Sequence, residues 1–220
     1  TSIPLKFALH QSYFIIFSNG EKFLENRRSN NFPKVVGQYE IKGPWNVVFD
    51  TAWGGPANTT FDSLIDWRES ADKKIKYYSG IASYYNTFKL PSQFANVDNQ
   101  GQQVVLDLNQ VKNMTRIILN GKELGVVWYP PWEMDITDEV VSGKNKLKIE
   151  VANLWANRLI GDQKYMDDGI KQGKWPDWFL KGEKRPSDRY TFITYEYFDQ
   201  DPPLQPSGLL GPVTVKLEKQ

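Results

Sequence analysis

Between Lys146 and Val151 charged and apolar residues alternate strictly, with Lys146, Lys148 and Glu150 on one side and Leu147, Ile149 and Val151 on the other. A period of two belongs to a strand with one face in water and one in a core. Six further runs are rich in β-branched and aromatic residues: WNVVFD at 45–50, IASYYNTFKL at 81–90, QVVLDL at 103–108, TRIILN at 115–120, YTFITYEYF at 190–198 and PVTVKLE at 212–218. Seven short strands with turn residues between them predict an all-β sandwich.

The remaining segments are read around these strands. Asn120-Gly121 is a hairpin signal, and the following KEL makes the loop longer than a two-residue turn. Gly125 fits a bulge or a close backbone approach. Gly208 and Gly211, ahead of Pro212, bend the chain into its last strand. The stretch 59–72 places Phe61, Leu64, Ile65 and Arg68 at helical spacing and predicts one short helix. Residues 163–189 read as a long irregular insertion. Near the start, PLKFALHQSYFIIF at 4–17 fits one or two strands, and the polar, Asn-rich 18–31 fits a linker. The expected organisation is therefore 1–31, terminal strands of a preceding domain plus linker, and 32–220, the sandwich.

Composition removes several chemistries. The 27 basic and 26 acidic residues nearly cancel, so no long-range field draws nucleic acid or an anionic membrane. No run of about 18 apolar residues offers a membrane span. Cysteine is absent and His10 is the single histidine, which leaves little for a Ser-His-Asp triad or a multi-histidine zinc site. The 8 Trp and 11 Tyr must fill a core or meet a ring-shaped partner.

Three blocks carry a family resemblance: YYSGIASYYNTFKLP at 77–91, LDLNQVKNMTRIILNGKELGVVWYPPWEMDIT at 106–137, and NKLKIEVANLWANRLIGD at 145–162 together with the C-terminal 190–217. The chain resembles the galactose-binding-like, jelly-roll domains of glycoside hydrolases, those of family 2 and of the C-terminal region of family 106 α-L-rhamnosidase-like enzymes. The resemblance implies a secreted, periplasmic or cell-surface bacterial parent protein. It also implies carbohydrate and the parent's catalytic domain as partners, no required cofactor, and a structural calcium ion whose ligands the sequence does not place.

The candidate residues have competing readings. Trp128, Tyr129 and Trp132 around Pro130-Pro131 either stack on pyranose C–H faces or staple their loop to the core, with Trp132 the more exposed. Trp155, Asn157 and Arg158 combine a ring with hydroxyl-binding groups, although Arg158 can instead pair with Asp162 across a helical turn. Trp175 and Trp178 suit docking on a catalytic domain. Glu133 and Asp135 share a strand face at about 7 Å, a spacing open to a glycosidase pair, yet Asp135 before Ile-Thr more simply caps a turn. Asp167-Asp168-Gly169 could offer oxygen to calcium, although no EF-hand loop is present. The expected function is a non-catalytic carbohydrate-binding or accessory domain. A purely structural domain and an independent glycosidase are the alternatives.

Overall fold

The computed structural model describes residues 3–7, 11–17, 32–95, 97, 101–164, 169–170, 172–186, 197–198 and 202–219. Two antiparallel sheets make up the sandwich. The six-stranded sheet has the order β3-β2-β4-β10-β7-β8, formed by Thr59–Phe61 (β3), Trp45–Phe49 (β2), Ile81–Leu90 (β4), Gly143–Ala152 (β10), Met114–Leu119 (β7) and Lys122–Val127 (β8). The four-stranded sheet has the order β1-β12-β5-β9, formed by Lys34–Glu40 (β1), Thr214–Lys219 (β12), Gln102–Asp107 (β5) and Glu133–Asp135 (β9). A two-stranded ribbon joins Gly208–Leu209 (β11) to Val111–Lys112 (β6).

The inward faces of both sheets meet in one hydrophobic cluster. Val47, Tyr84, Ile117 and Ile149 come from the larger sheet, and Val104, Leu106 and Val215 from the smaller. β10 buries Leu147, Ile149 and Val151 and turns its charged residues outward, as its alternation requires. Trp67 lies inside the cluster, where its indole N–H donates to the Tyr84 hydroxyl at 2.6 Å.

Several expectations change. The loop after β7 is a two-residue turn: Asn120 and Gly121 have φ of 53° and 91°, both positive as a type I′ hairpin needs, and KEL already belongs to β8. The extra length appears as a bulge, where the register shifts between Ile117 and Ile118 opposite Gly125 and Glu123. No helix spans 59–72. Thr59–Phe61 pairs with β2, and Asp66 and Asp72 each accept from the backbone N–H two residues on, which limits the segment to short capped turns at Trp67–Glu69 and Lys73–Lys76 (α1). The reading of 163–189 as irregular is corrected at its start, where the helix Ala156–Lys164 (α2) runs into it, and in its middle, where Asp177–Leu180 forms a four-residue helix (α3).

Residues 3–7 and 11–17 form no strand and pair with no described strand. They hold to each other through the Tyr13 hydroxyl, which donates to the Lys6 carbonyl, and the Phe7–Tyr13 ring contact, while Phe14, Ile16 and Phe17 stay exposed. The run 190–196 of the expected strand YTFITYEYF lies outside the described residues. Among the described residues no helix is long and apolar enough to cross a membrane.

Candidate functional site

The pairing register brings one end of the six-stranded sheet into focus. Phe49 of β2 opposes Ala82, Ile81 of β4 opposes Ala152 of β10, Ala152 opposes Met114 of β7, and Thr115 opposes Val127 of β8. The segments carrying Trp53, Gly80, Trp155 and Trp128 therefore all leave or enter the sheet at the same end. From β2 to β8 there are four strand spacings, about 19 Å at roughly 4.8 Å each.

Two aromatic pairs stand at this end. Trp128 and Tyr129 are 65% and 58% exposed, with ring centroids 5.1 Å apart at 77°. Trp53 and Trp155 are 38% and 45% exposed, with centroids 5.9 Å apart at 86°. The second pair borders a cleft of about 400 Å³, lined also by Val48, Phe49, Asp50, Ser79, Gly80, Ile81 and Ser83.

The walls of that cleft are built from within. Asp50 caps a single turn by accepting from Ala52 N at 2.8 Å, which carries the chain into Trp53. The Asp50 N–H donates to the Tyr78 hydroxyl, which in turn donates to the Ile81 carbonyl at 2.9 Å. Burial, reinforced by the Asp50 charge, pushes the Tyr78 phenol up and keeps it a neutral donor. Below Trp155 the Ser79 hydroxyl donates to the Leu154 carbonyl at 2.9 Å, and Asn153 bridges Tyr78 O and Gly80 N.

α2 lies beneath Trp155 with a polar face turned inward. Arg158 and Asp162 form an ion pair of 3.0 Å, 2% and 0% exposed, and Arg158 Nη1 also donates to the Trp53 carbonyl. The Asn157 amide donates to Gln205 O at 2.7 Å and accepts from Gln205 N at 2.7 Å, latching the incoming C-terminal segment. The expectation that Asn157 faces a sugar is thus corrected, since it is buried and bonded to the protein, and of the two readings of Arg158 the buried geometry carries the pair with Asp162 rather than a hydroxyl-binding group. Trp132 is corrected too. Its carbonyl accepts from Leu108 N as the chain enters β9, and its ring packs against the core. Trp175 is exposed and stacks on Phe179 at 4.8 Å, while Trp178 is half-buried beside Arg185.

The strongest aromatic feature that sequence reasoning passed over is Trp53, together with Asp50 and Ser83. Its signal was the DTAWGG run after WNVVFD, an Asp cap followed by a ring and two glycines that must turn tightly.

The carboxylates that the sequence offers as a catalytic pair are engaged. Glu133 accepts from Lys216 at 2.9 Å, and Lys216 also pairs with Asp107 at 2.6 Å. Asp135 accepts from Thr137 N and Oγ1 at 2.9 and 2.6 Å, the turn-capping role. Asp66 holds Arg68 and Ser207 N. Among the described residues no group of three His, Asp or Glu gathers as metal ligands, and Asp167 and Asp168 lie outside them.

On the same outer face as Glu133, burial and the Glu133 charge raise the Glu218 carboxyl above its ordinary value near 4.5. The native state then holds this proton more firmly than the unfolded chain does, so stability falls as pH rises from about 4.5 through the raised native value. Glu218→Gln is expected to be more stable than the parent above that window and equal to it below. Urea midpoints at neutral pH and at a pH under 4.5 check this, and equal midpoints at both would contradict it.

Residues 66–210 match the family model described as glycosyl hydrolase 2 galactose-binding domain-like. The Formosa agariphila protein named "Putative beta-glucuronidase" is 39% identical over 181 residues, 80% of this chain and 15% of that protein. The structure of a rhamnosidase from Novosphingobium sp. PP1Y superposes with a TM-score of 0.66 at 31% identity, covering 88% of this chain and 16% of that one. The chain thus spans about a sixth of the length of these relatives.

Proposed function

Because the chain belongs to the glycosyl hydrolase 2 galactose-binding domain-like family, we propose that it is a non-catalytic domain of a larger secreted glycoside hydrolase, one that contacts carbohydrate chains while residues elsewhere in the parent cleave them. The observation that carries this reading is the gathering of Trp53, Trp155, Trp128 and Tyr129, exposed, at one end of the six-stranded sheet. Exposed rings suit the C–H faces of pyranoses. Cleavage would need two carboxylates free to act as acid and as nucleophile or base, whereas Glu133 and Asp135 serve a lysine and a turn. One relative is named a rhamnosidase and another a β-glucuronidase, so the parent is proposed to act on polysaccharides that contain rhamnose or uronic acids.

The test is a glycan array probed with the purified chain, run beside assays on aryl α-L-rhamnosides and aryl β-glucuronides. Binding without hydrolysis is expected. Hydrolysis that Glu133→Gln abolishes would sink the reading in favour of an independent glycosidase.

A second reading, a domain whose task is to brace the parent's catalytic domain, is favoured by the exposed Trp175, Phe179 and Leu180 of the α3 region. On that reading residues 1–31 close a preceding domain, which would cover Phe14, Ile16 and Phe17. Glycan-insensitive Trp fluorescence together with self-association of the isolated chain would favour it.

A further inference from the structure

We infer that the cleft bordered by Trp53 and Trp155 is a binding site for one neutral pyranose unit, held by ring stacking and by the carboxylate of Asp50. The inference rests on the carbohydrate-contacting reading above and specifies its site and ligand class.

Shape comes first. The cleft holds about 400 Å³, within the range of roughly 300–1,000 Å³ usual for small-ligand sites. Its two indoles touch edge to face, nearly perpendicular at 5.9 Å between centroids, so a flat sugar ring stacks on the open part of one indole face, in the corner beside the other ring. Ile81 extends the apolar floor.

Polar groups then fix orientation. Asp50 is exposed, and one of its oxygens, Oδ1, is taken by Ala52 N. Among the described residues no donor is hydrogen-bonded to Oδ2, which leaves a charged acceptor at the cleft wall for a sugar hydroxyl. The half-buried Ser83 hydroxyl can donate or accept beside it. An acceptor carboxylate with a hydroxyl beside it suits adjacent hydroxyl groups on a ring.

Charge selects the class. Among the described residues that line the cleft Asp50 alone is charged. Arg158 reaches the Trp53 backbone from the buried side, and its charge is met by Asp162. A uronate would therefore set its carboxylate against that of Asp50, with no cation among the described lining residues to offset the repulsion. The cleft favours neutral hexopyranoses and deoxyhexopyranoses over uronic acids.

The site is also prebuilt. The Asp50 cap, the Tyr78 hydroxyl bridge and the Arg158 contact with the Trp53 carbonyl fix both walls, which reduces the ordering cost of binding.

Calorimetric and saturation-transfer titrations of the 220-residue chain test the inference, using methyl hexopyranosides, methyl rhamnopyranoside and methyl glucuronide, followed by neutral and uronic oligosaccharides. Neutral sugars should bind, and Asp50→Asn and Trp155→Ala should each weaken binding about tenfold or more. Asparagine keeps the cap that Asp50 supplies, so Asp50→Asn decides the matter if Trp155→Ala does not fold. Loss in Trp128→Ala with Asp50→Asn unaffected would move the site to the other aromatic pair; the inference would fall and the carbohydrate-contacting reading would stand. Tighter binding of the glucuronide than of neutral sugars would overturn the inference in the same way. If the parent chain bound no glycan, the broader reading would fail and this one with it.

Discussion

Arg158→Ala is expected to lower the midpoint of thermal unfolding by roughly 10 °C. The guanidinium and the Asp162 carboxylate face each other at 3.0 Å with 2% and 0% exposure. Removing Arg158 takes a buried counter-charge from Asp162, and breaking a buried pair costs about 3–5 kcal/mol, while each kcal/mol moves the midpoint of a domain this size by about 2–4 °C. The lost bond to the Trp53 carbonyl adds to this and loosens one wall of the cleft. Asp162→Asn should be destabilising for the same reason. The double change Arg158→Met with Asp162→Leu should recover much of the loss, since it removes both charges of the pair together. Calorimetry of the three variants checks the account. A fall of under about 3 °C for Arg158→Ala would mean that water reaches the pair and that α2 is held by other contacts.

This ion pair also marks where sequence reading succeeds and where it stops. The alternation of Lys146–Val151 predicts a strand with Leu147, Ile149 and Val151 inward, and the strand is there with those faces. The run 81–90 reproduces β4 in full. In both cases the information is local, because each residue's face follows from its neighbours. The i, i+4 spacing of Arg158 and Asp162 is equally local, and the pairing was visible. What the sequence does not carry is that this polar face turns inward. Asn157 and Arg158 look like hydroxyl-binding groups beside Trp155, and only their distant partners, Gln205 O and Trp53 O, show that they brace the fold.

The same limit separates Trp128 from Trp132 within a single WYPPW run. β9 pairs with β5, and the Leu108 N–H accepted by the Trp132 carbonyl draws that residue toward the core, while Trp128 follows the end of edge strand β8 into solvent. Trp53 was passed over for the complementary reason: its neighbours at the site, Trp155 and Arg158, lie about a hundred residues away in sequence. The helical spacing of Phe61, Leu64, Ile65 and Arg68 misled because two Asp caps and a strand partner for Phe61 offered the backbone better bonds than a helix would.

Gly208→Ala should cost about 2–4 kcal/mol, most of it from one contact. Gly208 has φ of 101°, a conformation in which alanine is strained by upwards of 1 kcal/mol. A methyl group built there would lie 2.5 Å from Trp67 Nε1 and 2.8 Å from two further indole atoms. The indole cannot step aside freely. It is fully buried, and its N–H is bonded to Tyr84, whose hydroxyl also accepts from Leu209 N at 3.3 Å. Pushing Trp67 away therefore strains the centre of the six-stranded sheet and the β11 ribbon together, an overpacking of about 1–3 kcal/mol. Gly121→Ala supplies the comparison. Its φ of 91° carries similar backbone strain, but an added methyl meets nothing within 4 Å, so only about 1 kcal/mol is expected. The difference between the two denaturant midpoints isolates the steric part, and replacing Trp67 by Phe in the Gly208→Ala background should shrink it by opening room beside β11. Equal midpoints for Gly208→Ala and Gly121→Ala would show that the indole yields without cost and that Trp67 does not hold β11 in place.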